Sequence, residues 1–313
     1  DDKYTAKYIV IASGSSNVGL SGFENDLTSA DILNITEVPK KLAIIGGGVI
    51  GIEMASIFNH FGSEVVVIEY MDRIIPNVDK EISKRLLAYL KQQGIKFHLN
   101  SKAIKSAGKL YIEQNESKTL IACDQVLVCV GRKPNIENIG LDELGITYSR
   151  RGILVDSNFK TNIDNIYAIG DVTGKTMLAH YATYSGYQVL KCILKQESKI
   201  KFNLVPSCVF SFPEVSQIGL TEEEAKENKL EYQVYKSLFR ANGKAVTLNE
   251  SEGFVKVIVS DKKIIGCSII GPDASTLIHE MSVVMNEDMS IDKFLDVIHA
   301  HPTLSEIFSL SIR

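Results

Sequence analysis

This sequence of 313 residues lacks the cysteine patterns that are typical of metal-binding proteins. It has no tryptophan, and its five cysteines are scattered, so that none forms a C-x-x-C pair or a cysteine–histidine cluster with zinc-site spacing. We therefore expect no metal. Scattered free cysteines are typical of a reducing compartment, which predicts a cytoplasmic protein, or one of the mitochondrial matrix if the source is a eukaryote.

Long apolar runs and an excess of positive charge are also absent. No stretch of about 18 apolar residues occurs, so no membrane span is predicted. The formal net charge is −4, which gives no general attraction to nucleic acid or to an anionic membrane. With 45% hydrophobic and 23% charged residues, the composition is that of an ordinary globular protein with room for two or three domains.

The beginning of the chain has neither a methionine nor a signal peptide. After DDKYTAK the sequence enters an apolar strand at 8–12, which ends at Ser13-Gly14-Ser15. A buried parallel strand needs neighbours on both sides, and no strand precedes this one. The pattern indicates a chain that starts in the middle of a domain, and we interpret the sequence as a fragment.

Strands and helices alternate in the first third of the chain. Apolar runs at 42–45, 65–68 and 95–99 predict strands, and the helical spacing at 49–61 and 79–93 predicts the helices between them. This alternation is typical of a doubly wound parallel sheet, so we expect a Rossmann-like α/β domain.

The last third has a different pattern. Residues 253–260 and 263–271 predict two strands joined as a hairpin through Asp261-Lys262, and helices are predicted at about 273–286 and 291–298. Strands followed by helices indicate an antiparallel sheet with helices packed against it. We therefore expect a separate α+β domain from about residue 203.

A glycine-rich turn follows the first strand of the α/β unit. Gly46-Gly47-Gly48-Val49-Ile50-Gly51 fits G-x-G-x-x-G between a predicted strand and a predicted helix. In this dinucleotide fingerprint Gly46 permits the tight turn, Gly48 lets a pyrophosphate approach the backbone, and Gly51 lets the helix pack closely. The helix N-terminus adds free N–H groups and a positive dipole. A turn without a ligand is the alternative interpretation.

Glu69 ends the second strand of this unit, where an acidic residue would hydrogen-bond the adenosine ribose hydroxyls and repel a 2′-phosphate. This predicts NAD in preference to NADP, although Arg73 weakens the preference slightly. A solvated Glu69 is the alternative. For Glu53 two interpretations stay open. It could act near the nicotinamide, or it could be a carboxylate that the helix dipole stabilises.

Two further segments have both a structural and a functional interpretation. Asp171, at the end of a short apolar strand, could accept hydrogen bonds from a sugar or ribityl hydroxyl, or it could cap the strand. In HAHPTLSEIF at 299–308, Thr303 and Glu306 have the pattern of a capping box, and His301 lies in the preceding loop. Taken alone, that pattern favours a structural helix start.

The motifs together resemble one enzyme family. GGGVIGIE at 46–53, VGRKPN at 130–135, YAIGDV at 167–172, MLAH at 177–180 and HPTLSE at 301–306 occur in the order and spacing of the dihydrolipoamide dehydrogenases, a branch of the flavin-dependent pyridine nucleotide–disulfide oxidoreductases. The resemblance covers essentially the whole chain. It implies oxidation of dihydrolipoamide by NAD⁺ through a redox-active disulfide and FAD.

The resemblance also implies the roles of individual residues. The NAD site would be lined by Gly46, Gly47, Gly48, Val49, Ile50, Gly51, Ile52, Glu53, Glu69, Ala103 and Gly131. FAD would be contacted by Ser13, Gly14, Ser15, Asp171, Met177, Leu178, Ala179 and His180. His301 would be the general base for the dithiol, oriented by Glu306. His299 would either pack near the flavin or close the helix predicted at 291–298.

Domains and partners follow from the same resemblance. Residues 1–30 would be a remnant of the FAD-binding domain, 31–135 the NAD-binding domain, 136–202 the returning part of the FAD-binding domain, and 203–313 the interface domain. We expect a homodimer through the interface domain, with His301 reaching the flavin site of the other subunit. Lipoyl domains of a 2-oxo-acid dehydrogenase complex would be the partners.

Two features of the family are absent from these residues. There is no G-x-G-x-x-G near the N-terminus and no C-x-x-x-x-C. We therefore expect that the chain alone binds FAD weakly and does not oxidise dihydrolipoamide. Two alternatives stay open: a related disulfide reductase of the glutathione or mercuric type, which Glu69 and HPTLSE disfavour, and a non-catalytic NAD-binding dimerisation module.

Overall fold

The computed structural model describes residues 3–114 and 117–312. They form two compact units, one of Gly131–Phe202 with the chain up to Val18, and one of Gly19–Val130 with the chain from Asn203 onwards. The first unit contains the residues predicted to contact FAD, and the second contains both the glycine fingerprint and HPTLSE. The assignment of four domain segments stays a prediction.

Strands, α-helices and short 3₁₀ helices make up the regular secondary structure of the described residues. The strands are β1 Ile9–Ile11, β2 Ser15–Asn17, β3 Lys41–Ile45, β4 Glu64–Ile68, β5 Lys96–His98, β6 Lys102–Ser106, β7 Lys109–Gln114, β8 Ser117–Ile121, β9 Gln125–Val128, β10 Arg132–Pro134, β11 Tyr148–Ser149, β12 Gly152–Ile153, β13 Ile166–Ala168, β14 Ser207–Val209, β15 Glu214–Gly219, β16 Gln233–Leu238, β17 Phe254–Ser260 and β18 Lys263–Gly271. The α-helices are α1 Val49–His60, α2 Lys80–Gln92, α3 Ala179–Ile193, α4 Glu222–Glu227, α5 Gly243–Thr247, α6 Ala274–Asn286, α7 Ile291–Leu295 and α8 Glu306–Ile312. Short 3₁₀ helices lie at Ile32–Asn34, Gly170–Thr173 and Phe239–Ala241.

In the first unit, the short strands surround a small apolar core. β1 lies parallel to β13, β2 pairs antiparallel with β10, and β11 pairs antiparallel with β12. The strand predicted at 8–12 is therefore present, but Ile9 and Val10 remain 44% and 43% exposed, so its two faces are not both covered. The core consists of Leu141, Ile146, Ile153, Ile166, Ala168 and Val172.

The predicted doubly wound sheet is confirmed in the second unit. Its order is β5-β4-β3-β9, and every neighbouring pair is parallel. Parallel strands need crossover connections, which α1 and α2 supply within a residue of their predicted bounds. Because helices cover one face of the sheet, Leu42, Ile44 and Val67 are completely buried there.

The other face of this parallel sheet packs against a second, three-stranded antiparallel sheet in the order β6-β7-β8. Among these strands, β7 buries alternate apolar residues, Leu110 and Ile112. β8 is mostly exposed, β6 is partly buried, and both are largely polar, so they lack the apolar runs on which strand prediction depends.

The C-terminal part of the second unit is a five-stranded antiparallel sheet in the order β14-β15-β18-β17-β16, which confirms the predicted sheet type. The predicted hairpin is formed by β17 and β18, with Asp261 at φ 47° and Lys262 at φ 61°. Two successive positive φ angles are those of a turn that matches the twist of the strands. Among the described residues, no helix combines the length and apolarity needed to cross a membrane.

Candidate nucleotide and acid–base sites

The glycine turn between β3 and α1 has the close packing that its sequence predicts. A Cβ on Gly46, which has φ +108°, would lie 2.3 Å from the carbonyl oxygen of Cys129. A Cβ on Gly51 would lie 2.0 Å from the carbonyl oxygen of Gly46. A Cβ on Gly48 would meet nothing within 4 Å. Two of the glycines therefore make the turn, and Gly48 leaves open space in front of it.

Gly48 is the N-cap of α1 and, as a glycine, has no side chain with which to cap the helix. The first N–H groups of α1 have no acceptor within the helix, and they begin beside the open space at Gly48. A pyrophosphate needs close backbone approach and N–H donors at a helix start, and this geometry supplies both. The turn fits the diphosphate of a dinucleotide.

Glu69 lies at the end of β4 and is 8% exposed. The Gly47 N–H donates to its Oε2 at 2.5 Å, and the Met71 N–H donates to its Oε1 at 2.6 Å. These bonds fix the carboxylate across the glycine turn, and each oxygen keeps lone-pair capacity for a hydroxyl group. The sequence pattern predicted a ribose ligand but did not reveal that Glu69 also closes the turn.

Arg73 lies in the loop after Glu69 and is already paired. Its Nη1 lies 2.9 Å and 3.0 Å from the two carboxylate oxygens of Glu223, and its Nη2 donates to the Pro76 carbonyl at 2.8 Å. The side chain that was expected to weaken the preference for NAD is therefore engaged elsewhere.

Glu53 lies in α1, and its Oε1 accepts a hydrogen bond from the Phe210 N–H at 2.9 Å. Burial raises the pKa of the Glu53 carboxyl, and the Phe210 N–H only partly offsets this effect. The carboxylate therefore joins α1 to the segment after β14. That contact is a third role beside the two that the sequence left open.

The remaining predicted NAD residues have different environments. Val49 is 38% exposed, Ile50 is half-buried, and Ile52 is completely buried in the core. Ala103 lies in β6 opposite Ile112 and packs against the apolar core under the antiparallel sheet. Gly131 belongs to the first unit, where its carbonyl accepts the Val18 N–H.

In the first unit, several residues predicted to contact FAD lie together. Ser15 Oγ donates to Asp171 Oδ2 at 2.5 Å, and Arg132 Nε donates to Ser15 Oγ at 2.8 Å. Ser13 Oγ donates to the Asn135 carbonyl at 2.8 Å. The sequence did not mark Arg132 or Asn135 as organisers of this turn, although both lie in VGRKPN.

The second group of predicted FAD residues forms the start of α3. Leu178 is its N-cap and no side chain caps the helix, while Ala179 and His180 are its exposed first residues. The 3₁₀ turn that holds Asp171 packs against the same helix, because the Gly170 N–H donates to Ser185 Oγ at 3.2 Å. The Asp171 carboxylate and the first N–H groups of α3 are the kinds of polar group that suit the hydroxyl and carbonyl groups of a flavin cofactor.

His301 and Glu306 form the predicted pair. His301 Nδ1 lies 2.9 Å from Glu306 Oε1, and the His301 side chain is 78% exposed. The other oxygen of Glu306 accepts the Thr303 N–H at 2.8 Å. The Thr303 N–H, followed by the hydrogen bond with His301, lowers the pKa of the Glu306 carboxyl.

Only one half of the predicted capping box is present. The Thr303 hydroxyl donates to the Ala300 carbonyl at 2.7 Å and does not cap the helix. α8 begins at Glu306 itself, so Glu306 is not the third residue of a helix capped by Thr303. Its carboxylate turns back to the loop because of the Thr303 N–H.

His299 has a partner that the sequence did not suggest. Its Nε2 lies 2.6 Å from Glu280 Oε1, its side chain is 9% exposed, and its ring meets Phe294 at a centroid distance of 5.7 Å. α7 ends at Leu295, so the interpretation of His299 as the end of that helix is wrong.

The five cysteines are free. Burial raises the pKa of Cys129 to about 12 and that of Cys208 to about 11, so neither thiol is a ready nucleophile near neutral pH.

The chain is similar to known proteins over nearly all its length. The family model of the pyridine nucleotide-disulphide oxidoreductases matches residues 1–186, and the model of their dimerisation domain matches residues 205–312. The dihydrolipoyl dehydrogenase of Chlamydia trachomatis is 39% identical over 98% of this chain and 68% of its own length. The mitochondrial dihydrolipoyl dehydrogenase of Pisum sativum is 39% identical over 96% of this chain and 63% of its own length.

Among solved structures, the Cu(II) complex of RclA from Escherichia coli, described as an HOCl-induced flavoprotein disulfide reductase, superposes with a TM-score of 0.88. It is 28% identical, and the match covers 98% of this chain and 72% of that structure. These matches confirm the predicted resemblance, the fold class and the cofactor pair FAD and NAD. The chain belongs to the pyridine nucleotide-disulphide oxidoreductase family, whose dimerisation domain forms its last third.

Proposed function

We propose that this chain carries the NAD-binding and acid–base residues of a dihydrolipoamide dehydrogenase. The observation that carries the proposal is the His301–Glu306 pair, in which an exposed imidazole is held at 2.9 Å by a carboxylate that is itself fixed by a backbone N–H. The relatives named dihydrolipoyl dehydrogenase support the choice of substrate.

The hydrogen-bond geometry assigns the protonation of His301. Because the pKa of Glu306 is lowered, its carboxylate is ionised near neutral pH and can only accept a hydrogen bond. Nδ1 of His301 must therefore donate, which leaves the lone pair on Nε2. In the proposed step a substrate S–H bond breaks, an Nε2–H bond forms, and Glu306 stabilises the resulting imidazolium.

The nucleotide part of the proposal uses the residues around the glycine turn. Gly48 and the first N–H groups of α1 would bind the pyrophosphate, and Glu69 would accept hydrogen bonds from the ribose hydroxyls. Asp171 and the start of α3 would hold FAD, which when bound relays electrons between the dithiol and NAD⁺. Ala103, Gly131 and Glu53 stay predicted contacts of the NAD site.

The partners and the location are part of the same proposal. A homodimer would form through the dimerisation domain at residues 205–312, and lipoyl domains of a 2-oxo-acid dehydrogenase complex would present the dithiol. The protein would act in the cytoplasm, or in the mitochondrial matrix of a eukaryote. A second candidate, a non-catalytic NAD-binding dimerisation module, is favoured by the five free cysteines. Flavin absorbance at roughly 450 nm in the purified chain would argue against that module.

Calorimetric titration with NAD tests the nucleotide site. We expect saturable binding by the unaltered chain, and a loss of at least about tenfold in Gly48→Ala, because the new methyl group occupies the space for the pyrophosphate. Gly243→Ala is the matched control, since a Cβ there also meets nothing within 4 Å. Both substitutions should cost no more than about 1 kcal/mol of stability. Equal NAD affinity in all three proteins would contradict the proposed site.

The tautomer of His301 tests the acid–base site. In the neutral form of the imidazole, nitrogen NMR of the unaltered chain should show Nδ1 protonated and Nε2 unprotonated. In Glu306→Gln the amide no longer requires a donor at Nδ1, so the populations of the two tautomers should move towards each other. A predominantly Nε2-protonated ring in the unaltered chain would contradict the role of His301 as a base.

A further inference from the structure

The loop that follows Glu69 wraps around the glycine turn. The Met71 N–H donates to Glu69, and the Ile75 N–H donates to the Gly47 carbonyl at 2.7 Å. The Ile74 side chain lies over Gly47, 3.2 Å from where a Cβ would stand. Arg73 therefore lies in a loop that is bonded on both sides of it to the residues proposed to bind the adenosine half of NAD.

The Arg73 side chain is held in position by Glu223, which lies far from it in the sequence. Both carboxylate oxygens of Glu223 bind Nη1 of Arg73, and the Pro76 carbonyl accepts from Nη2. The pair is partly exposed, with 27% of the Arg73 side chain and 38% of the Glu223 side chain accessible. The charge of Arg73 is thus neutralised by a carboxylate from the dimerisation domain.

Glu223 is held in place by its own helix. Thr221 and Glu224 form a complete capping box at the start of α4, with the Glu224 N–H donating to Thr221 Oγ1 at 3.1 Å and the Thr221 N–H donating to Glu224 Oε2 at 2.8 Å. Glu222, beside it, binds the buried ammonium of Lys256. The carboxylate that faces Arg73 therefore projects from a fixed element and not from a mobile loop.

Electrostatics connects this pair with the choice of cofactor. NADP differs from NAD by a phosphate at the ribose 2′ position, and an arginine near that position is the usual way to accommodate it. Glu69 alone repels such a phosphate, but a free Arg73 four residues later would compensate for the repulsion. The contact of Nη1 with both carboxylate oxygens of Glu223 is charge-assisted, and it occupies the guanidinium with another anion.

We infer that Glu223 is a specificity-determining residue, because it holds Arg73 in an ion pair and keeps it from binding a ribose 2′-phosphate. The inference rests on the proposed NAD site at Gly46–Glu69. It assigns to the dimerisation domain a role in the choice between NAD and NADP, in addition to the role of Glu69.

Calorimetric titrations with NAD and with NADP test this inference on the full chain. In Glu223→Gln we expect the affinity for NADP to rise about tenfold, which is the effect of one charge-assisted contact to a phosphate, while the affinity for NAD stays within about twofold. The gain for NADP should shrink as the salt concentration rises, because it depends on a charge pair at the surface.

Two further variants separate the release of Arg73 from a general change of charge. Glu227→Gln removes the same charge from an exposed position of the same helix and should leave both affinities unchanged. The double variant Glu223→Gln/Arg73→Ala should return the NADP affinity to within about twofold of the unaltered chain, because it removes the guanidinium that Glu223→Gln releases.

The possible results distinguish this inference from the proposed function. NAD binding with no gain for NADP in Glu223→Gln, or an equal gain in Glu227→Gln, would overturn the role of Glu223 alone. A gain that persists in the double variant would overturn the role of Arg73. Failure of the unaltered chain to bind NAD would overturn the proposed nucleotide site and this inference with it.

Discussion

A buried lysine allows a demanding test of how the second unit is held together. Lys256 lies in β17 with 3% of its side chain exposed. Its Nζ lies 2.9 Å from Oδ2 of Asp79, which is 1% exposed, and it also binds Glu222 and lies 3.6 Å from Glu81. The ammonium therefore joins the start of α2, helix α4 and the C-terminal sheet.

Replacing this lysine by methionine keeps most of the apolar volume but removes the charge. Asp79 would stay buried, with the Glu81 N–H at 2.9 Å as its main remaining partner. Removing one partner of a buried ion pair costs about 3–5 kcal/mol, because the other charge is left uncompensated. We therefore expect Lys256→Met to lower the free energy of unfolding by about 3 kcal/mol or more.

The pH dependence of this contribution has a definite sign. Burial lowers the pKa of Lys256, but the hydrogen bonds from its ammonium to Glu222 and Asp79 outweigh burial, so the pKa lies above its usual value. The stabilisation is therefore complete below the unfolded-state pKa of about 10.4, and it is lost only as the pH rises through the higher folded-state value.

Urea unfolding measures the effect in four variants: Lys256→Met, Lys262→Met, Asp79→Asn and Asp79→Asn/Lys256→Met. Lys262→Met is the matched control, because Lys262 pairs with Asp292 at 3.2 Å with 76% and 68% of the two side chains exposed, and such surface pairs contribute less than about 1 kcal/mol. In Asp79→Asn/Lys256→Met the loss should be smaller than the sum of the two single losses, since neither charge is then left alone. Asparagine remains a good N-cap for α2.

Two results would refute this reasoning. A loss in Lys256→Met no larger than that in Lys262→Met would show that the buried pair contributes no more than a surface pair. Additive losses in the double variant would show that Lys256 and Asp79 do not act on each other. Either result would remove the electrostatic account of how α2 is attached to the sheet.

The remaining predictions concern the glycine turn and the two glutamates of the sites. Gly51→Ala should cost about 1–3 kcal/mol in urea unfolding, because its Cβ would stand 2.0 Å from the Gly46 carbonyl oxygen; a neutral effect would contradict the packing. Glu53→Gln should stabilise the chain at neutral pH, since the raised pKa shows that ionisation of the buried carboxyl opposes folding. That gain should disappear below about pH 4.3, where the carboxyl is protonated in both states, and a gain independent of pH would contradict it. Glu306 should remain ionised below about pH 4.3, and its bond with His301 should be lost only as the pH falls through the lowered pKa; a carboxyl NMR titration midpoint at or above that value would contradict it.

The sequence predicted those parts of the fold that depend on local pattern. The parallel order around β3 and β4 follows from apolar runs that alternate with helical spacing, and the glycine turn follows from the need for close backbone contact at Gly46 and Gly51. The β17–β18 hairpin follows from two polar residues between two apolar strands. In each case the physical cause lies within a few residues of the structure it produces.

The parts that the sequence did not predict depend on partners distant in the chain. Glu280 comes to His299 only because α6 packs beside the loop after α7, and Glu223 comes to Arg73 only in the folded second unit. Thr303 shows that a local pattern can also mislead. Its spacing from Glu306 predicted an N-cap, but in the folded chain its hydroxyl donates to the Ala300 carbonyl instead. Sequence spacing identifies side chains that could bind a ligand or transfer a proton, but tertiary contacts decide which of them already have a partner within the protein.

The contacts of the loop after Glu69 show why a fingerprint alone is an incomplete guide to cofactor choice. The glycine turn and Glu69 are local, but two ion pairs bind the loop between Glu69 and α2 to the dimerisation domain: Arg73 with Glu223 of α4, and Asp79 with Lys256 of β17. Two neighbouring residues of α4 take part in these ion pairs, since Glu222 binds Lys256 and Glu223 binds Arg73. A change at Glu222 should therefore lower the stability of the unit, because its partner Lys256 is buried. A change at Glu223 should instead release Arg73, whose partly exposed pair contributes little to stability.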